Sequence, residues 1–137
     1  GYSSMKFYGQ SKLANLMFAI ELQSRLESAG SSTISVVCHP GISATNLLSR
    51  GKERETGRVM KVLLRLVAQP VSMGALPTLY AATHPDLRGG EYIVPEGPGN
   101  TRGYPVLSND PARLYKPDIS ARLWEVSEAM TGTRYSF

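Results

Sequence analysis

The chain has 137 residues, 42% of them hydrophobic and 19% charged, an ordinary globular balance with room for one domain and a packed core. Its formal net charge is +4, but the basic residues are scattered; the one concentration, Arg50, Lys52, Arg54, Arg58, Lys61 and Arg65, is diluted by Glu53 and Glu55 and has no nucleic-acid motif beside it, so no nucleic-acid partner is expected. A single cysteine, Cys38, excludes an internal disulfide framework, and no apolar run approaches the roughly 18 residues of a membrane span; a reduced, cytoplasmic setting is the expectation.

Phe7 to about Ser28 reads as the first helix. Leu13, Leu16, Met17 and Ile20 recur at helical spacing, Leu22 and Leu26 widen the apolar stripe, and Glu21, Gln23, Arg25 and Glu27 are expected on the wet side. Gly30 suits the position just past its end. Thr33–Cys38 follows as a short β-branched strand, apolar enough to be covered on both faces as in a parallel sheet. His39-Pro40-Gly41 stops it. In open α/β sheets ligands sit at the carboxyl ends of strands, which is where residues 39–45 must lie.

Residues 41–57 form a long connection, and residues 58–67 a basic amphipathic helix with Val59, Val62, Leu63 and Leu66 on one face. Pro70 opens a helix that runs to about Thr83, with Pro77 expected to bend or divide it. Arg88-Gly89-Gly90 reads as a turn and Glu91–Val94 as a last short strand. The Pro- and Gly-rich stretch 95–115 reads as a loop. Pro117 starts a final helix that ends at Gly132, with Leu123, Trp124, Val126, Ser127 and Met130 inward. There are no repeats and no low-complexity segments.

Tyr8 and Lys12 stand one helical turn apart near the start of the first helix. Side chains at i and i+4 share a face about 5–6 Å apart. A phenol is a poor acid or base at neutral pH, and a nearby cation favours its ionised form, so this pair has a chemical reason to act together. Neither His39 nor His84 has a second His, Cys or carboxylate at metal spacing, so no metal site is expected. No Gly-x-Ser-x-Gly elbow surrounds any serine, which argues against a serine hydrolase.

Tyr8-Gly9-Gln10-Ser11-Lys12-Leu13-Ala14-Asn15, followed by His39-Pro40-Gly41-Ile42-Ser43-Ala44-Thr45-Asn46-Leu47, resembles the short-chain dehydrogenase/reductase family, closest to its retinol-dehydrogenase-like and WW-domain-oxidoreductase-like branch. The likeness continues through Gly74-Ala75, Gly90-Glu91-Tyr92 and Leu123-Trp124-Glu125-Val126-Ser127. It implies an α/β fold, the C-terminal half of a Rossmann-type doubly wound parallel sheet with flanking helices, whose N-terminal dinucleotide-binding half is not in the chain. It also implies NAD(P)-dependent interconversion of a small-molecule alcohol and a carbonyl, on an apolar substrate. Tyr8 would be the acid/base and Lys12 its cationic support and a ribose contact. Pro40, Gly41, the Ile42 backbone and the Thr45 hydroxyl would complete the nicotinamide side of the NAD or NADP site. Residues 46–67 would be the substrate loop and lid. The resemblance further implies a homo-oligomer, dimer or tetramer.

The family's glycine-rich phosphate loop, Asn-Asn-Ala-Gly motif and catalytic serine lie upstream of the tyrosine, where this chain has only seven residues. The isolated chain is therefore expected to be inactive. The competing expectation is a non-enzymatic fragment that recruits a partner through residues 50–65 and exposed apolar helix.

Overall fold

The computed structural model describes residues 1–43 and 68–137. Thr45, the substrate loop and lid of residues 46–67 and the basic helix expected at residues 58–67 lie outside the described residues. Among those described, the elements in chain order are helix α1 (Ser4–Ser28), strand β1 (Val37–Cys38), helix α2 (Val71–Thr83), strand β2 (Tyr92–Pro95), strand β3 (Pro105–Ser108), the short helix α3 (Asp110–Leu114) and helix α4 (Pro117–Thr131). None of these helices is long and apolar enough to cross a membrane. The three strands form one sheet in the order β1-β2-β3. The fold is an α/β, Rossmann-like fragment. The described chain divides into two compact units, one of residues 1–37, 86–92 and 108–137, the other of residues 38–85 and 93–107.

The first unit is built on α1, against which α3 and α4 pack. Leu16, Met17, Leu26 and Trp124 are its buried apolar side chains. Phe18 stacks on Trp124 with ring centroids 5.1 Å apart, and Arg25 lies 4.6 Å over the same indole. Tyr135 and Phe137 at the end of the chain close on its other sides at 5.2 and 6.2 Å. Offset aromatic pairs and a guanidinium over an indole each add to what burial alone supplies.

Two polar residues expected on the wet side of α1 are buried instead: Glu21 is 8% and Gln23 5% exposed. A buried carboxylate needs partners, and Glu21 has two. Arg25 Nε donates to Glu21 Oε1 at 2.9 Å, and the Tyr115 hydroxyl donates to Glu21 Oε2 at 3.0 Å. Gln23 accepts the Ser35 N–H at 2.7 Å and donates to Glu27 at 2.8 Å, with its side chain lying against Gly89. These bonds also shorten the expected strand. Ser35 gives its hydroxyl to the Ala19 carbonyl at 2.8 Å as well as its N–H to Gln23, while its own carbonyl accepts the Gly90 N–H at 2.7 Å, so its donors go to α1 and the strand starts only at Val37.

In the second unit β2 is the most deeply covered segment, with Ile93 at 0% and Val94 at 1% exposure. The His39 N–H donates to the Ile93 carbonyl at 3.0 Å, and two residues earlier in both strands the Val37 N–H donates to the Glu91 carbonyl at 2.8 Å. Partners that advance together make this pair parallel, as expected. The stretch expected as a loop holds β3, which returns antiparallel to β2 across a hairpin closed by Glu96 N–H to Tyr104 O and Gly97 N–H to Arg102 O, both 2.9 Å. The sheet is therefore mixed, with an antiparallel edge on a parallel pair. Pro77 does not divide α2; it is fully buried within a continuous helix.

In α4, Trp124 is inward as expected, but Val126 is 45% and Met130 82% exposed. Gly132 takes the left-handed conformation that ends the helix (φ 68°).

Candidate active site

The two motifs that the sequence singles out fall in different units, and each has its own geometry. In the first unit α1 begins at Ser4, so Tyr8 and Lys12 stand in its opening turns, ahead of the buried stripe that starts at Leu16. Lys12 Nζ lies 5.5 Å from the centroid of the Tyr8 ring. The i,i+4 relation puts both side chains on one face of the helix, and the ammonium sits over the π face of the phenol. Tyr8 is 50% exposed and Lys12 is exposed. The Ser11 hydroxyl between them donates to the Tyr8 carbonyl at 2.8 Å, so it serves its own helix. The pair is presented outward, a hydroxyl and a cation on one face, and such a pair can hold and move a proton.

In the second unit the turn His39-Pro40-Gly41-Ile42-Ser43 leaves the carboxyl end of β1 and is pinned from several directions. His39 Nδ1 accepts the Gly41 N–H at 2.6 Å. Burial holds the His39 imidazole below its ordinary value of 6.5, with its backbone hydrogen bond opposing the shift. Gly41 has φ +67°, and a Cβ there would run into the Thr101 carbonyl and the Pro95 ring. Only glycine meets both conditions at this point. Gly74 on α2 is a second close approach, since a Cβ would strike the Ser43 hydroxyl.

Within the turn the Ser43 hydroxyl donates to the Pro40 carbonyl at 3.3 Å; the long-range ties come from Gln69 and Thr101, neither of which any sequence motif marks. The Gln69 N–H donates to the Ile42 carbonyl at 2.9 Å. Its side-chain Nε2 donates to the Pro40 carbonyl at 2.9 Å and its Oε1 accepts the Gly103 N–H at 2.9 Å. The Ile42 N–H donates to the Thr101 carbonyl at 2.7 Å. Gln69 is 4% exposed.

Of the expected site residues, Tyr8 and Lys12 come together as drawn from the sequence. Pro40 is exposed at the head of the turn, and Gly41 has the left-handed backbone conformation its position demands. Ile42 differs: its N–H is engaged within the chain, and its carbonyl, which has two lone pairs and accepts one donor among the described residues, is the backbone group able to take a further hydrogen bond. Thr45 lies outside the described residues. Among the described residues no group of three or more His, Cys, Asp or Glu could hold a metal ion.

No family model matches the chain. Among curated proteins it is 33% identical to "Retinol dehydrogenase 14" of Homo sapiens over 138 residues, 96% of this chain and 37% of that protein. It is 32% identical to "Polyprenol dehydrogenase" of Mus musculus, with 96% of this chain and 37% of the relative covered. "Short-chain dehydrogenase TIC 32 B, chloroplastic" of Brassica napus is 38% identical over 98 residues, 68% of this chain and 29% of its own length. The chain thus spans between 29% and 37% of the length of these curated relatives. A crystal structure of an uncharacterized protein from Mycobacterium Paratuberculosis superposes with a TM-score of 0.69 at 33% identity, covering 100% of this chain and 42% of the other. A third of all positions shared along nearly the whole chain, together with the parallel strand pair and the helix carrying tyrosine and lysine, has one meaning: the chain belongs to the short-chain dehydrogenase/reductase family of oxidoreductases.

Proposed function

We propose that this chain is the C-terminal, catalytic portion of an NAD(P)-dependent oxidoreductase that interconverts an apolar alcohol and its carbonyl. The observation that carries the reading is the exposed Tyr8–Lys12 pair, with Nζ 5.5 Å from the phenol ring centroid. In the oxidising direction the ionised Tyr8 oxygen takes the proton of the substrate hydroxyl as its C–H bond breaks. In the reducing direction the Tyr8 hydroxyl gives that proton to the carbonyl oxygen. Lys12 supplies a positive charge over the Tyr8 ring and offers N–H donors to ribose hydroxyls.

Each motif, taken by itself, suits one part of a nicotinamide nucleotide: in the first unit the exposed Lys12 ammonium suits ribose oxygens, and in the second the Ile42 carbonyl, on the turn that Pro40 and Gly41 shape, suits a carboxamide N–H. Bound NAD or NADP would supply or accept the hydride at its nicotinamide ring. The apolar substrate is supported by two relatives named for alcohols, retinol and polyprenol.

Tyr8→Phe in the protein at its full natural length tests the assignment. Loss of the proton relay should lower NAD(P)-linked turnover by at least about 100-fold, with cofactor affinity nearly unchanged. Turnover within a few-fold of wild type would remove Tyr8 from the mechanism.

A further inference from the structure

The Pro40–Ile42 turn is held by a residue distant in sequence. Gln69 makes three hydrogen bonds around it, and each serves a different purpose. Its backbone N–H takes the Ile42 carbonyl at 2.9 Å, which fixes where the turn ends. Its side-chain Nε2 takes the Pro40 carbonyl at 2.9 Å, which fixes where the turn begins. Its Oε1 receives the Gly103 N–H at 2.9 Å, tying the turn to the loop between β2 and β3. That loop also supplies the Thr101 carbonyl to the Ile42 N–H at 2.7 Å.

The side chain is 4% exposed, and the amide uses both its ends. Flipping the amide would set an oxygen against the Pro40 carbonyl and an N–H against the Gly103 N–H, so the two partners together fix its orientation. A residue used only to fill space would not need both ends of a primary amide, buried, on two backbone groups facing opposite ways. Glutamate, leucine and methionine all fill a similar volume. Only glutamine, or a protonated glutamic acid, can donate to one group and accept from the other at this length.

We infer that Gln69 is the positioning residue of the Pro40–Ile42 turn, holding the Ile42 carbonyl in register for a bound nicotinamide. The inference rests on the proposal that this turn faces that group. Gln69 touches no reacting atom; it acts through Pro40 and Ile42.

Two variants of the full-length protein separate positioning from mere stability. Gln69→Met removes both amide bonds and keeps the length of the side chain. Gln69→Glu keeps the acceptor for Gly103 but sets a carboxylate oxygen against the Pro40 carbonyl. Isothermal titration calorimetry with NADH and NADPH gives the affinity, at a temperature where circular dichroism shows each variant folded. Gln69→Met should bind the preferred nucleotide about tenfold more weakly than wild type.

Gln69→Glu should be similarly weak near pH 8 and recover towards wild type as pH falls to about 5.5, where a buried carboxyl protonates and its O–H can replace the amide N–H. That recovery is a signature a space-filling role would not give. Wild-type affinity in both variants, or a loss in Gln69→Glu with no dependence on pH, would overturn the inference.

If the wild-type protein binds neither nucleotide, the proposed function itself fails. The clamp then stands or falls on amide exchange: Gly103 should lose protection in Gln69→Met, and unchanged protection would overturn it.

Discussion

His39 sits where β1 passes into the turn, and its Nδ1 takes the Gly41 N–H at 2.6 Å. Only a neutral imidazole can accept there, because protonation would place a hydrogen on the accepting nitrogen. Burial lowers the folded-state value below 6.5, so as pH falls through about 6.5 the unfolded chain takes up a proton that the folded chain resists. The stability that neutral His39 contributes is complete above that pH and declines below it, until the folded form protonates too. The thermal midpoint should therefore drop between about pH 7.5 and 5.5. His39→Asn, whose side-chain oxygen can replace Nδ1 as acceptor without titrating, should flatten that part of the profile. An equal slope in the variant would assign the pH dependence to other groups. At this scale the pairing of Tyr8 with Lys12 was legible in the spacing alone, because a helix fixes the geometry of neighbours one turn apart. The sequence was silent about Gln69, since Pro40 is 29 residues away along the chain and the Gly103 contact spans 34.

Among the elements, α1 shows where a periodic pattern informs and where it misleads. Its end near Ala29 and its apolar residues Leu16, Met17 and Leu26 follow from spacing and composition, whereas its start at Ser4 precedes the Phe7 from which the pattern is read. The burial of Glu21 and Gln23 does not, because polarity is read as exposure until a partner is known. Glu21 acquires its partners from its own helix and from Tyr115, which lies 94 residues further on. Burial, with the hydrogen bond to Glu21, pushes the Tyr115 phenol above its ordinary value of 10.0, so it remains a donor throughout the neutral range.

Tyr115→Phe removes one charge-assisted bond and should cost about 1–2 kcal/mol in chemical denaturation. Glu21→Ala should cost more, about 2–4 kcal/mol, because it leaves both Arg25 and the Tyr115 hydroxyl without their acceptor. Equal costs for the two changes would show that Arg25 gains little from the carboxylate. The hairpin of β2 and β3 was hidden for a different reason. Pro95, Pro98 and Pro105 read as breakers, yet Pro95 and Pro105 each sit at one end of a strand and Pro98 in the turn between, places that ask for no ladder N–H.

Across the whole molecule, the fold class was legible because two motifs stand in the right order, one on a helix and one after a half-buried strand. The mixed sheet was not, since nothing local distinguishes a parallel edge from an antiparallel one. The described chain also separates into two compact units, and its only tryptophan lies in the first. Trp124 is 3% exposed, enclosed by Phe18, Arg25, Tyr135 and Phe137. The last four residues contribute two of those walls, so deleting residues 134–137 should lower stability by about 1–3 kcal/mol and shift the indole emission to the red. Unchanged emission would mean that the terminal rings leave the indole's surroundings as they were. The same enclosure gives the protein a built-in optical label of one unit only. Indole emission will report the melting of residues 1–37, 86–92 and 108–137, and the other unit can be followed separately by its own backbone signals, so the protein can reveal without any added dye whether its two parts come apart together or in turn.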